Sequence, residues 1–319
     1  FRNVTGVQTC ALPISTLPGG GFLGVQPDRV PQARPTTAPV ASPTAGGAWG
    51  LWGNGTGGPQ AEPTISEEAS PSLGATNQQQ DASLGTIVLR RYVDRTEQAF
   101  SMLVPDGWVV QGGIVRVDPL AAGGPTNAIA AKTDLLVASD ADATVGIYFM
   151  PDAIYFDPKN MPANQHGMFP PGSNYQGMIV WPLMAADEFL AQGVFPVVHP
   201  NAQNVEVLER RPLPLLAQEY EARLRTFVIP TTFSYDSGML TVSYDENGTR
   251  FRERLFTVIE DWGALGAGMW GNKETVIVRA PETEFGRWEP LLSTIQGSVR
   301  ISPQWLAAEI QGQIQRGGI

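Results

Sequence analysis

"MLTVSYDENGTRFRERLFTVIEDW" (Met239–Trp262) decides the fold. Asn247–Gly248 lies at its centre, and an Asn-Gly pair supplies the positive φ angles that a tight type I′ turn requires. Both arms alternate apolar and polar residues, as a strand does when one face is buried and the other wet. The stretch therefore reads as a β-hairpin within an antiparallel sheet. Arg250, Arg252 and Arg254 share one face by the period of two and read as a solvated sheet surface.

Downstream, "ETVIVRA" (Glu274–Ala280) is a further β-branched strand. In "PETEFGRWEPLLSTIQGSVRI" (Pro281–Ile301), Phe285, Trp288, Leu291, Leu292 and Ile295 recur at helical spacing. Pro290 is expected to kink this helix or mark its restart, and Val299–Ile301 to form a short closing strand. Ser302–Pro303 is an N-cap followed by proline at the first helical position. The helix that follows has Leu306, Ile310 and Ile314 in line.

Upstream, "LAQEYEARLR" (Leu216–Arg225) leans to strand on the pattern of its neighbours. "NVEVLERRPL" (Asn204–Leu213) is an edge-like strand ending at Pro212, and "AADEFLAQGVF" (Ala185–Phe195) is helical. Ala128–Ser139 and Ala143–Met150 read as a hairpin around Asp140–Asp142. "AFSMLVPDGWVV" (Ala99–Val110) is strand, turn, strand, and "TIVLRRYV" (Thr86–Val93) is a strand. The predicted class is α+β, a mostly antiparallel sheet packed with helices over residues 86–302. Residues 303–319 are expected to begin a truncated C-terminal helix.

Two of these segments carry a family resemblance. "FSMLVPDGW" (Phe100–Trp108) resembles the opening signature of the PsbP/Mog1-like group, and "FGRWEPLLSTIQGSVRI" (Phe285–Ile301) resembles its closing helix and strand. The resemblance spans about Thr86–Ile301 and implies an antiparallel sheet between helices, in a family of binding and assembly factors. This chain departs from the compact pattern by an insertion at roughly Asp152–Gln203. Both motifs are packing motifs, so no functional residue is carried over. The same arrangement is similar to that of a set of uncharacterised bacterial proteins.

The first 85 residues are a different material. Val4–Ile14, "VTGVQTCALPI", resembles a translated sequencing-library adapter, and residues 1–14 are expected to be an artefact of that kind. It holds Cys10, the single cysteine. Residues 15–85 contain nine prolines and thirteen glycines, 22 of 71 residues. That composition predicts a disordered linker, because such a chain buries too little apolar surface to offset its entropy.

Net charge is −10, and the short basic clusters at Arg90–Arg91, Arg210–Arg211 and Arg250–Arg254 make no sustained phosphate-binding face, so no nucleic-acid partner is expected. No apolar run reaches the length of a membrane span. With two histidines and no usable cysteine, no Cys/His metal site is expected. "GAGMWG" (Gly266–Gly271) matches G-x-G-x-x-G but precedes a strand rather than opening a helix, so no dinucleotide cofactor is expected.

Two loops remain as candidate sites. Residues 157–178 carry His166, Phe169 and Tyr175, and residues 261–274 carry Trp262, Trp270 and Asn272. Long loops and aromatic anchors of this kind mark interfaces. The leading reading is a non-catalytic binding or assembly module of a bacterial protein, meeting a protein partner or small polar ligand through these loops, with no cofactor. The alternatives are a hydrolase-like enzyme using His166 with a carboxylate, and a carbohydrate or peptide binder using Trp262 and Trp270. His199, before Pro200, reads as a turn residue. The Pro/Thr/Ser-rich segment and missing cysteine suit the cell envelope or secretion, with the cytoplasm as the alternative.

Overall fold

The computed structural model describes residues 85–120, 124–161, 167–225 and 233–317. The adapter-like segment, all of the expected linker except Gly85, and His166 lie outside the described residues.

The hairpin forms as the sequence predicts. β10 (Ser234–Glu246) and β11 (Thr249–Asp261) pair antiparallel. Asn247 and Gly248 take φ of 51° and 78°, the positive values of the tight turn. The hairpin is the spine of a ten-stranded sheet. Along it run β3 (Val109–Val115), β4 (Lys132–Ala138), β5 (Gly146–Phe149), β12 (Met269–Pro281), β11, β10 and β9 (Gln203–Pro212). The N-terminal half of β12 pairs instead with β6 (Ala153–Phe156). Beyond β6 lie β8 (Met178–Val180) and β7 (Asn174–Tyr175). All pairings are antiparallel except β6 with β8. A small sheet of β1 (Leu89–Val93), β2 (Phe100–Pro105) and β13 (Arg300–Ile301) completes the α+β architecture.

The centre of the sheet is covered on both faces. On one lies a helical rod from α1 (Ala186–Phe189) through a wider π turn at Leu190–Val194 to α2 (Phe195–Val198). Its Phe189, Leu190, Val194 and Val198 pack on Leu240, Val242, Leu255 and Ile277. On the other lies α4 (Phe285–Gly297), which places Phe285, Leu292 and Ile295 against Val137, Ile147, Val276 and Val278. The expected apolar stripe is thus the buried face of α4, and the helix runs through Pro290 without restarting. Residues 186–198 supply the rod, so they cover one face of the sheet's core.

Four expectations are corrected. Leu216–Arg225 is not a strand: α3 (Pro214–Arg225) is helical, with Pro214 at its start and strong helix formers (Leu, Ala, Gln, Glu, Arg) after it. Arg250, Arg252 and Arg254 do not face open solvent, because α4 and its lead-in cross that face. Glu282 bridges Arg250 and Arg252, and Glu289 pairs with Arg254. Leu306, Ile310 and Ile314 are not the buried stripe of α5 (Pro303–Gly317). That helix buries Glu309 and Gln313, while Ile314 is exposed. Glu309 accepts from the Ala131 N–H at 3.0 Å and pairs with Arg116 at 2.9 Å, which outweighs an apolar contact at this position.

The fourth is His199. It is no surface turn but fully buried at the end of the rod. Its Nδ1 lies 3.2 Å from Glu246 Oε1, and its Nε2 lies 2.8 Å from Glu253 Oε2. Both ring nitrogens face carboxylate oxygens, and only the imidazolium can donate from both. Burial works against that charge, but Glu253 and Glu246 outweigh it and hold the His199 pKa above its ordinary value. Tyr244 donates to Glu253 at 2.8 Å, and Arg279 donates to Glu246 at 2.7 Å. Two cations and two anions are thus balanced inside the core, tying the rod to β10, β11 and β12.

β9 is exposed along all ten residues and closes the sheet as an edge. Glu206, Glu209, Arg210, Arg211 and the terminal Pro212, with two register shifts against β10, blunt it against further strand pairing.

Candidate functional site

The site lies where the N-terminal half of β12 meets β6, and a bulge positions it. Val276 and Val278 face α4, and strict alternation would send Trp270 the same way. Between Phe256 and Val258 of β11 the register shifts, and Glu274 on β12 takes φ of 49°. The shift reverses the phase, so Trp270 faces the rod instead. Trp270 is fully buried there, stacked on Tyr155 at 4.5 Å, and its Nε1 donates to the Trp181 carbonyl.

The two loops singled out in the sequence converge on this end of the sheet. Asp157 N–H donates to the Gly268 carbonyl at 2.8 Å. Gly268 sits at φ +101°, and a Cβ there would meet the Asp157 oxygen at 2.1 Å, so the close approach requires glycine. Phe156 stacks on Tyr175 at 4.4 Å and meets Phe169 edge-on at 5.6 Å. Trp262 joins the same apolar cluster and stacks on Phe233 at 5.4 Å. Met168 in the first loop and Ile179 on β8 just after it are 65% and 44% exposed.

Beneath this corner is a polar floor. Asn272 Oδ1 accepts from the Ala153 N–H at 2.9 Å, and its amide donates to Thr275 at 2.9 Å. Asn127 accepts from Ile154 N–H at 2.8 Å and donates to the carbonyls of Ile154 and Gly177. Lys132 Nζ donates to the Asp152 carbonyl at 2.6 Å and to Asn127 Oδ1 at 3.3 Å. Burial, helped by the charge of Lys273 and opposed by Asp152, lowers the Lys132 pKa to about 8. Glu260 is fully buried and accepts from Trp262 Nε1 at 2.9 Å. Burial raises its pKa, although Lys273 and the Trp262 bond pull the other way. Asn127, Lys132, Asp152 and Lys273, with Ile129, Ile154 and Trp262, line a cavity of about 20 Å³.

Of the sequence-predicted residues, Phe169, Tyr175 and Trp262 are brought together at the corner, and Asn272 lies in its floor. Trp270 is not with them, and both it and Asn272 belong to β12 rather than to a loop. The exposed-aromatic expectation is corrected for Trp262 and Trp270, which are 5% and 0% exposed. Lys132, Asp152, Glu260 and Lys273 were missed. The available signal was Lys273 itself, a charge just ahead of the β-branched run "TVIV" (Thr275–Val278) of a core strand, where a buried charge must be paired or employed. Among the described residues no cluster of His, Cys, Asp and Glu could hold a metal ion.

No family model matches the chain, and no curated protein matches it. Among solved structures, the chain is similar to the solution structure of cyanobacterial PsbP (CyanoP) from Synechocystis sp. PCC 6803. Identity is 11%, coverage is 72% of this chain and 99% of that one, and the TM-score is 0.29. It is also similar to the crystal structure of LpqN, involved in cell envelope biogenesis of Mycobacterium tuberculosis. There the identity is 12%, the coverage 69% and 93%, and the TM-score 0.24.

Proposed function

We propose that this domain is a non-catalytic binding or assembly module that meets a protein partner through the corner formed by residues 157–178 and 261–274. One observation carries the reading. Met168 and Ile179, neighbours in the chain of the clustered Phe169 and Met178, expose large apolar side chains, and the backbone of the corner is held by the Asp157–Gly268 bond. Apolar groups on a preorganised surface are what a partner's hot spots need, since little ordering entropy remains to be lost on binding. The sugar- or peptide-binding alternative needs accessible Trp262 and Trp270 rings, and both are buried. The hydrolase alternative rests on His166, outside the described residues.

The test is affinity capture with chemical crosslinking, comparing wild type with Met168→Asp/Ile179→Asp. Leu215→Asp, at a 70% exposed position on α3, is the control. A partner captured by wild type and by the control but lost with the double variant is expected. Equal capture by all three chains refutes the corner as the contact surface. Placement in the cell envelope or outside a bacterial cell belongs to the same proposal and is checked by cell fractionation. No helix among the described residues is long and apolar enough to cross a membrane.

A further inference from the structure

The helix α5 docks by its polar side and leaves its apolar residues uncovered. At about 100° per residue, Trp305, Glu309, Gln313 and Arg316 share one side. That side meets the domain. Trp305 Nε1 donates to Glu97 at 2.7 Å, Glu309 takes the Ala131 N–H and Arg116, and Arg316 Nε donates to the Ile129 carbonyl at 2.6 Å. Away from it, Ala307, Ile310 and Ile314 follow one another at three and four residues, the seam spacing of a helix that pairs with another. Leu306 borders the seam. Ala307 and Ile314 are exposed, Leu306 and Ile310 are half-buried, and none of the four joins an apolar cluster of the described core. The remaining outward residues are Gln304, Ala308, Gln311 and Gln315, all exposed. The two charges of α5, Glu309 and Arg316, pair with each other at 2.7 Å on the docked side. A helix side turned to water ordinarily carries charge, and this one carries none.

We propose that α5 pairs with α5 of a second copy of this chain about a two-fold axis. The chemistry of the face selects that occupant. In a two-fold contact the same patch meets itself, so a charge near the axis would meet its like. The chain carries a net charge of −10, and two copies repel over most approaches. The uncharged side of α5 escapes that repulsion. Its glutamines suit self-contact, because each side-chain amide both donates and accepts. Ala307 and Ala308 let the two helices lie close. A charged partner finds no counter-charge on this side. Four apolar side chains and a few amides per copy fall short of the roughly 800 Å² that each partner buries in a standard interface. The dimer is therefore weak and reversible, looser than the roughly micromolar limit of full-size interfaces. The contact uses no residue of the corner, and either proposal can fail without the other.

Analytical ultracentrifugation of the full chain, from about 10 μM to about 1 mM, reads the association in the range a contact of this size requires. Reversible monomer–dimer exchange is expected. Ile314→Asp, at a 69% exposed position, sets like charges across the axis and should weaken the dimer roughly tenfold or more. Leu215→Asp, on α3, should leave it unchanged. Ala307→Glu, on the same seam, reads the same effect should Ile314→Asp fray the helix end. A monomer at every concentration overturns the proposal, as does a dimer of wild-type strength in both seam variants. A dimer lost in Met168→Asp/Ile179→Asp but kept in the seam variants moves the contact to the corner and overturns it as well.

Discussion

Replacing His199 by leucine tests whether the core is held by a buried imidazolium. The variant leaves Glu246 with Arg279 at 2.7 Å, so that carboxylate keeps its cation. Glu253 fares differently. It is fully buried, its Oε1 has no hydrogen-bond partner among the described residues, and its Oε2 would retain only the Tyr244 hydroxyl. Stripping a buried carboxylate of its cation costs about 3–5 kcal/mol. For a domain of this size that lowers Tm by roughly 10 °C. Adding Glu253→Gln removes the stranded charge, so the double variant should recover a large part of the loss, a coupling of about 1–3 kcal/mol.

The pH dependence follows from the same cluster. His199 is raised above 6.5, so its contribution is fully present below pH 6.5 and is lost as pH rises through the folded value. Glu246 is lowered below 4.5 despite its burial, through His199 and Arg279. Its contribution is present above pH 4.5 and is lost as pH falls through the folded value. Stability in wild type should peak between these limits, and His199→Leu should abolish the alkaline arm. Urea denaturation followed by tryptophan fluorescence at a series of pH values measures both. A loss under about 1 kcal/mol in His199→Leu, or additivity with Glu253→Gln, refutes the charged-cluster account.

Three further outcomes are expected. Gly268→Ala should destabilise by about 1–3 kcal/mol, since its Cβ has no room and its φ is positive, with hydrogen exchange at the Asp157 amide rising first. Glu206→Val with Glu209→Val strips charge from the exposed β9 edge, and light scattering should then show concentration-dependent association beyond that of wild type. Glu309→Ala leaves the Ala131 N–H buried without its acceptor and removes a partner of Arg116, a loss of about 1–3 kcal/mol in thermal denaturation.

What was legible in the sequence was what neighbours along the chain control. The Asn247–Gly248 turn, the alternating arms, the α4 stripe and the Ser302–Pro303 helix start each depend on contacts a few residues apart. α3 was legible too, in Leu, Ala, Gln, Glu and Arg after Pro214, but the strands around it drew the reading the wrong way. The convergence of residues 157–178 with 261–274 was half legible. Composition marked both loops, and nothing in it showed that Gly268 would seat against Asp157.

By itself, then, the sequence determined the antiparallel hairpin, the α+β class and the segments from which the corner is made. Only the tertiary structure decided which face each side chain takes. A bulge at Glu274 reverses the alternation of β12, sending Trp270 under the rod and leaving it no part in the corner. Glu246 and Glu253, which hold His199, come from β10 and β11, and the partners of Lys273 come from β11 and the approach to β6. Local periodicity fixes the spacing of side chains along a strand. Register, and the bulge that shifts it, chooses their neighbours across the sheet, and that choice is made by packing between segments distant in the chain.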